Sequence, residues 1–178
     1  MAAPIKPGKH TALQKDSFWL VPAIADIKAP KVAEINAVTG IYLTCFLTEE
    51  ANGWTTTFNK GTAPRGLCDA TTPETLLPAT VQGTEIQGFF NPQAAVAEAD
   101  KKAFEFLRSG YTGFMVKRLN KKNDVADTAA AGEFVSVAPV LIAAAVEDKT
   151  ATTAEGIYVF KAGVAVTGDP STNVAVTT

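Results

Sequence analysis

Residues 81–119 have the sequence VQGTEIQGFFNPQAAVAEADKKAFEFLRSGYTGFMVKRL, and this stretch decides the fold class. It predicts a strand over residues 81–90, a helix that starts after Asn91-Pro92, and a second strand over residues 111–119. Asn is a favoured N-cap residue and Pro a favoured first helical residue, and the glycine before the second strand marks the helix end. The stretch therefore predicts one helix held between two strands.

The predicted helix is amphipathic. Charged side chains occupy one part of its surface, and apolar side chains recur at helical spacing on the other. We expect that apolar face to pack against a sheet, as the core face of the helix. Its residues are Val96, Ala99, Ala103, Phe106 and Leu107.

Upstream of this stretch the sequence alternates between apolar and polar residues, which predicts strands. Residues 41–48 form one clear strand candidate, and residues 54–60 alternate again after the turn signal Asn52-Gly53. Together they predict a hairpin over residues 41–60. Residues 61–80 contain three prolines and predict a long irregular segment.

Downstream, strands are predicted over residues 133–146 with a break at Pro139, over residues 157–166, and near residues 174–176. About seven or eight strands and one helix predict a mainly β fold, a β-sandwich or partial barrel with one flanking α-helix. Residues 1–40 are predicted to be an N-terminal arm that leads into the domain, although Ser17–Val21 has the composition of a short strand. Residues 41–178 are predicted to be the β domain.

Composition limits the class of protein. A chain of 178 residues is most simply one domain, and 47% hydrophobic with 19% charged residues excludes a disordered chain. No apolar run approaches the ~18 residues of a membrane-spanning helix, and the first ten residues do not resemble a signal peptide. A net charge of −2 argues against a dedicated nucleic-acid binder.

The residues that carry chemistry are scarce. The single histidine, His10, lies in a Pro/Gly/Lys-rich start, and the chain has too few His and Cys residues for a zinc site. Nucleotide-binding and hydrolase motifs are absent from the sequence. We therefore predict that the protein is not an enzyme, with no catalytic residues, no metal and no cofactor.

Two groups of residues allow alternatives. Cys45 and Cys68 are predicted to be small core residues, with a disulfide as the alternative. A second group is basic and lies at and just beyond the end of a predicted strand. It is predicted to be a solvated strand end, with contact to phosphate as the alternative. Its residues are Lys117, Arg118, Lys121 and Lys122.

Four features in order give the chain a resemblance to a known family. The first is LTCFLT at residues 43–48, followed by Gly53-Trp54. The second is RGLCD at residues 65–69. The third is FFNPQ at residues 89–93, followed after the predicted helix by GYTGFMVKR at residues 110–118. The fourth is VTGDP at residues 166–170, followed by VAV at residues 174–176. In this order they resemble the major tail tube protein of long-tailed, siphovirus-type bacteriophages, especially those of actinobacterial hosts.

The resemblance implies a structural virion protein that self-assembles into stacked hexameric rings, forming the hollow tail tube for DNA passage. It implies partners as well: further copies of this chain, the tape measure, tail terminator and distal tail proteins, and genome DNA in transit without sequence-specific binding. No membrane partner is implied. The expected location is the virion tail, after assembly in the host cytoplasm. The alternative is a monomeric β-sandwich module that binds sugar or protein.

Residues 49–80 are the predicted ring-stacking loop. A segment this long between two predicted strands exceeds a simple connector, and such loops in compact domains are usually functional. Its prolines limit its freedom and reduce the ordering cost of binding. The residues predicted to contact the neighbouring ring are Trp54, Phe58, Arg65 and Leu67.

Overall fold

The computed structural model describes residues 16–48, 53–68, 70–93, 95, 99–119, 121, 128–148 and 158–178. The described part is mainly β. Its strands are β1 Ser17–Val21, β2 Ile41–Tyr42, β3 Trp54–Thr57, β4 Lys60–Thr62, β5 Glu74–Leu76, β6 Thr80–Gly83, β7 Glu85–Phe89, β8 Tyr111–Arg118, β9 Phe134–Ile142, β10 Val146–Asp148, β11 Val159–Val166 and β12 Ser171–Ala175. Its helices are α1 Val32–Ile35 and α2 Ala99–Leu107, and Thr44–Phe46 forms a 3₁₀ turn.

Eight strands form one curled sheet, a half-barrel. Six of them follow one another in the order β10-β11-β9-β8-β1-β2, and the other two, β12 and β7, pair beside this series. Strand β12 pairs with β9 and β7 pairs with β11, and every one of these strand pairings is antiparallel. The two ends of the sheet approach each other where Leu47 forms an isolated bridge with Gly88. There the Thr48 N–H donates to the Gln87 carbonyl at 2.9 Å. These contacts give the sheet its curl, which confirms the expected partial barrel.

The sheet buries side chains on both faces. In β1, Leu20 belongs to one hydrophobic cluster, and its neighbours Trp19 and Val21 belong to the other. In β8, Met115 and Val116 divide in the same way. Because successive strand residues point to opposite faces, each strand contributes to both clusters. The first cluster lies under helix α2, and the second lies under residues 22–40 and the C-terminal end.

Helix α2 covers the first cluster. Ala103 and Leu107 are buried there, and Phe106 is half-buried against the same cluster. Two other residues of the expected core face, Val96 and the Ala99 side chain, lie outside the described part. The N–H of Gly110 donates to the Leu107 carbonyl, and the positive φ of 81° at Gly110 is the left-handed conformation of a helix C-terminus.

The helical spacing missed Phe104, which is also buried in this cluster. Its ring stacks on Phe90 with centroids 4.8 Å apart and meets the edge of Phe160 at 5.9 Å. Aromatic pairs at these distances add stabilisation beyond their buried area. The apolar face of the helix is therefore broader than the predicted stripe, and it centres on aromatic contacts with β7 and β11.

The predicted helix start at Asn91-Pro92 is wrong. Residues 92 and 93 form a turn, in which the Asn91 side chain accepts a hydrogen bond from the Gln93 N–H at 3.0 Å. Ala95 lies outside the helix, whose described span is Ala99–Leu107. An Asn side chain that accepts the N–H two residues on serves a turn as well as it serves a helix cap, so the signal was ambiguous.

The predicted break at Pro139 is also wrong, because β9 runs without interruption from Phe134 to Ile142. One edge of β9 pairs with β8 from Ser136 to Ile142, while the other edge pairs with β12 before Pro139 and with β11 after it. Pro139 therefore lies opposite the turn that joins β11 to β12. At this position no strand on that edge requires a backbone N–H donor, so proline is tolerated. The Pro139 carbonyl accepts the Thr167 N–H at 3.0 Å.

The expected strand over residues 41–48 is shorter than predicted. Only Ile41–Tyr42 is a strand, and the chain then turns through Thr44–Phe46. The cause is the Thr44 side chain, whose Oγ1 accepts the Phe18 N–H at 2.8 Å, while the Leu43 N–H donates to the Phe18 carbonyl at 2.9 Å. The Phe18 N–H thus binds a side-chain oxygen instead of a backbone carbonyl of β2, and the backbone pairing between β2 and β1 ends there.

The predicted hairpin over residues 41–60 is wrong as well. Strand β2 pairs with β1, and β3 pairs with β6, which lies more than twenty residues further along the chain. Alternation identifies a strand but not the strand with which it pairs. The turn signal at Asn52-Gly53 therefore led to a wrong prediction that residues 41–48 pair with residues 54–60. Residues 49–52 lie outside the described part.

Residues 17–40 belong to the body of the fold. Strand β1 lies between β2 and β8 inside the main sheet, and residues 22–40 cover the second hydrophobic cluster. The end of the chain holds this segment, because the Thr177 N–H donates to the Pro30 carbonyl at 2.8 Å and its carbonyl accepts the Val32 N–H at 2.9 Å. The sheet therefore has no break at the expected boundary between residues 40 and 41. Residues 1–15 lie outside the described part.

A substitution in helix α2 tests its packing. Leu107→Ala deletes a fully buried side chain, and we expect the free energy of unfolding to fall by about 2–5 kcal/mol. Urea denaturation followed by circular dichroism, at dilution that keeps the protein unassembled, measures the change. Leu67→Ala is the control, because this leucine is fully exposed and should change stability little. Equal effects of the two substitutions would contradict the packing described.

Candidate assembly site

Residues 53–84 form a projecting β-ribbon, which we call the arm. Its inner part is the antiparallel pair β3–β6, with Thr57 opposite Thr80 at its far end. Its outer part is the antiparallel pair β4–β5, with Lys60 opposite Leu76. The expectation that residues 61–80 are irregular is wrong, because they hold most of the outer strand pair and the start of β6. Within residues 61–80, the described residues outside strands lie at the tip, around residues 63–73, and at residues 77–79.

The base of the arm is fixed to the sheet by Thr84. Its N–H and its hydroxyl both donate to the Gly53 carbonyl, at 2.9 and 3.0 Å, and its own carbonyl accepts the Val164 N–H at 3.0 Å. Gly83 lies so close to β11 that a Cβ there would stand 1.9 Å from the Val164 carbonyl oxygen. Only glycine allows this approach, so the arm leaves the body at one defined point.

The arm contains a β-bulge where its two parts meet. Two residues, 58 and 59, separate Thr57 from Lys60, whereas three residues, 77–79, separate Leu76 from Thr80. The extra residue is accommodated by Asn59, whose side-chain amide donates to the Pro78 carbonyl at 2.8 Å and to Thr80 Oγ1 at 2.7 Å. A bulge bends a ribbon and increases its twist, so Asn59 sets the direction of the outer part.

The four residues predicted to contact a neighbouring ring all lie on the arm, but their environments differ. Trp54 is half-buried and packs against the first hydrophobic cluster, so at least part of its surface serves the body of its own subunit. Phe58 is 77% exposed, and Arg65 and Leu67 are exposed at the tip.

The residues predicted from the sequence do not include two exposed leucines on the arm, Leu76 and Leu77, which are 81% and 50% exposed. The available signal was a pair of adjacent leucines between two prolines, in a segment assumed to have no strands. Together with Phe58 and Leu67 they make the exposed surface of the arm partly apolar.

The cysteines differ from the prediction. Cys45 and Cys68 are both free and exposed, so the expected role as buried core residues is wrong. Cys45 lies in the 3₁₀ turn that releases β2, and Cys68 lies at the tip of the arm. The alternation predicted for residues 41–48 does not hold at Cys45, because the chain has already left the strand there.

The basic group after β8 is not simply a solvated strand end. Arg118 is 2% exposed, and its guanidinium donates to Glu133 Oε2 at 2.7 Å and to Ser17 Oγ at 3.0 Å. The guanidinium also lies over the Trp19 ring, 5.0 Å from its centroid. A buried arginine needs such partners, so it ties β1, β8 and the start of β9 together. Lys121 donates to Glu133 Oε1, and Lys122 lies outside the described part.

Glu133 is the acidic partner in this cluster. Burial acts to raise the pKa of its carboxyl. Hydrogen bonds from Lys121, Arg118 and the Ala130 N–H, together with the charge of Arg118, lower the pKa, and their combined effect outweighs that of burial. The net result is a pKa below the ordinary value. The carboxylate therefore stays charged at neutral pH and contributes stability through its charge.

A shallow groove of about 580 Å³ lies beside the start of β8. It is lined by Tyr111 and by short segments of β8, β9 and β11, and none of its lining residues is charged. Burial raises the pKa of Tyr111 to about 12, so its hydroxyl stays protonated at neutral pH. The groove offers an apolar surface and no ionised group.

Within the described residues no group of three or more His, Cys, Asp or Glu side chains is placed to bind a metal ion. Over the same ranges no helix is both long enough and apolar enough to span a membrane. The described features define the class as a mainly β protein with a projecting, partly apolar arm.

Comparison with known proteins gives the family. A family model described as phage tail tube protein matches residues 3–178, so the chain belongs to the phage tail tube protein family. The protein is accordingly a structural component of a phage tail rather than a member of an enzyme family. A search of curated proteins finds no match.

Among solved structures, the fold is similar to a chain in the cryo-EM structure of the anti-feeding prophage (AFP) baseplate, 6-fold symmetrised. The TM-score is 0.52 at 10% sequence identity, and the alignment covers 98% of both chains. At this identity the likeness concerns the fold.

The charge of Glu133 gives one test. Glu133→Gln keeps the shape of the side chain but removes the charge that faces Arg118, and we expect unfolding to become easier by about 1.5–3 kcal/mol at pH 7. Because the folded pKa is depressed, this contribution is present above the unfolded pKa of about 4.3 and is lost as the pH falls through the folded value. The stability difference between the two proteins should therefore shrink in acid.

Urea denaturation at pH 7 and at successively lower pH measures this difference. Glu74→Gln is the control, since the Lys60–Glu74 pair is largely exposed on both sides and such pairs contribute little. A difference that stays constant with pH would show that the Glu133 charge does not stabilise the fold.

The bulge gives a second test. Asn59→Asp is nearly isosteric but lacks the amide donors to Pro78 and Thr80, so the outer part of the arm should open more often. We expect amide hydrogen exchange at Leu77, whose N–H donates to the Asn59 carbonyl at 2.9 Å, to accelerate by about five- to tenfold. Amides in β8 and β9 are the internal control. Unchanged exchange at Leu77 would mean that Asn59 does not hold the bulge.

Proposed function

We propose that this chain self-assembles into hexameric rings that stack into the hollow tail tube, and that the arm supplies contacts between stacked rings. One observation carries the proposal: a β-ribbon leaves the body at a fixed point and exposes Phe58, Leu67 and Leu76. Apolar side chains of this size are typically buried, and apolar anchors dominate the energy of protein interfaces. In a tail tube, these side chains can be buried against a neighbouring copy of the chain.

Strand edges support ring formation. Among the described residues, β12 pairs with β9 alone and β2 pairs with β1 alone, so each has an edge without a strand partner. Open edges favour pairing with another chain, and closure of a ring removes them. The number six rests on the resemblance seen in the sequence, and the 6-fold symmetry of the AFP baseplate structure agrees with it.

DNA passage agrees with the charge of the chain. Proteins bind duplex DNA mainly through Lys and Arg contacts to phosphate, and this chain has a net charge of −2. A lumen without strong positive charge lets the genome move, so DNA is a passenger that is not bound by sequence. Tape measure, tail terminator and distal tail proteins are the further partners we propose, and the virion tail is the site of action after assembly in the host cytoplasm.

Replacement of residues 61–78 by a short Gly/Ser linker tests the role of the arm. This variant removes the tip and most of the outer strand pair but keeps β3–β6 and the anchor at Thr84. We expect the unaltered protein to form rings or tubes at raised concentration, without added nucleotide, metal or DNA. The variant should keep the strand signal of the main sheet in its circular dichroism spectrum, less the small part due to β4 and β5, yet form no long tubes in negative-stain electron microscopy.

The outcomes are distinct. Normal tubes from the shortened variant would refute the stacking role, and an unaltered protein that stays monomeric at high concentration would refute self-assembly. An unfolded variant would show that the arm supports its own subunit instead.

A further inference from the structure

The two faces of the arm differ, and the inner strand pair shows which face points to the body. Directly opposite residues of antiparallel strands share a face, so Trp54 and Gly83 lie on one face, together with Thr56 and Val81. Trp54 packs against the hydrophobic cluster of its own sheet, and Gly83 lies against Val164. This is the inward face at the base of the arm.

The same face continues past the bulge. The extra residue lies in the β5–β6 strand, so the alternation along the other strand is kept, and Phe58 and Lys60 follow Trp54 and Thr56 on the inward face. Leu76 is directly opposite Lys60 and shares that face. The Lys60–Glu74 contact of 3.1 Å fits this arrangement, because Glu74 alternates with Leu76.

The opposite face is different in character. There Leu77 covers Gly61, since a Cβ at Gly61 would lie 3.3 Å from Leu77 Cδ1 and 3.3 Å from Thr75 Oγ1. Leu77 is thus engaged within the arm and is 50% exposed, whereas Leu76 is 81% exposed. The most exposed apolar groups of the arm outside its tip therefore lie on the inward face.

We infer that Phe58 and Leu76 form the surface by which the arm packs onto a second copy of this chain. At the base, Trp54 and Gly83 on the inward face pack against the sheet of their own subunit, and beyond the bulge the same face exposes Phe58 and Leu76. The face is also neutral there, because the charges of Lys60 and Glu74 meet each other. A face that packs on its own subunit at the base and exposes two large apolar side chains farther out fits a neighbouring copy of the chain, which a tail tube would place beside it. The inference rests on the proposed function.

Adjacent residues give a matched test. Leu76→Glu places a charge on the inward face, and Thr75→Glu places the same charge one position away on the opposite face. We expect Leu76→Glu to raise the protein concentration needed for tube growth by at least about tenfold, because a charge cannot be buried in an apolar contact without a partner. Phe58→Glu should act in the same direction, and Thr75→Glu should leave tube growth close to that of the unaltered protein.

Sedimentation and negative-stain microscopy give the critical concentration, and amide exchange in the arm shows that each variant keeps its ribbon. Tubes lost with Thr75→Glu but kept with Leu76→Glu would overturn the inference, as would equal losses with both. If both variants form tubes normally, the inference fails. Normal tubes from the Gly/Ser-linker variant would refute the proposed stacking role itself, so the two failures can be distinguished.

Discussion

The register of β1 against β8 is the constraint on which the rest of the structure depends. It sets Trp19 opposite Val116 and Leu20 opposite Met115, so each pair contributes to a different hydrophobic cluster. A slip of one residue would exchange the two faces and place the large Trp19 ring among residues that fit Leu20. The ion pair of Arg118 with Glu133 lies next to this pairing and fixes it, because Arg118 is directly opposite Ser17 and bonds to its hydroxyl.

The pairing of β1 with β8 also positions the arm. Gly53 lies over Met115 and the Phe18 ring, since a Cβ there would be 3.4 Å from the Met115 sulfur and 3.8 Å from Phe18 Cε1. The positive φ of 104° at Gly53 turns the chain at this point into β3. Thr84 then joins the two ends of the arm and bonds to β11. The core that fixes β1 and β8 therefore also supports the base of the arm, so a contact surface on the arm is held by the body.

Much of the fold could be predicted because its signals are local. The strand predicted over residues 111–119 is present as β8, and the C-terminal end of α2 is marked by Gly110. What could not be predicted depends on contacts between distant residues. The end of β2 is decided by the Thr44 hydroxyl bonding to Phe18, and the burial of Arg118 by residues far away in sequence, Ser17 and Glu133.

The candidate site shows the same division. The length and prolines of residues 61–80 correctly marked an unusual segment, but not its strands, because a ribbon paired only with itself lacks the alternating burial that a sheet in a core imposes. Leu76 and Leu77 look equivalent in the sequence. Adjacent residues point to opposite faces, but only the register of β4 against β5 and the bulge at Asn59 show that Leu76, rather than Leu77, shares the face of Trp54.

A ribbon of two strands also explains why an assembly arm should need a bulge and prolines. An isolated two-stranded ribbon is marginally stable in water, so the outer part of the arm gains little from its own pairing. Pro64, Pro73 and Pro78 reduce the entropy that ordering must overcome, and the Asn59 side chain adds hydrogen bonds where the ladder is interrupted. The subunit by itself leaves Phe58 and Leu76 exposed. In the assembly that we propose, a second copy that covers this face would stabilise the ribbon, and a preordered ribbon would lower the entropic cost of binding that copy.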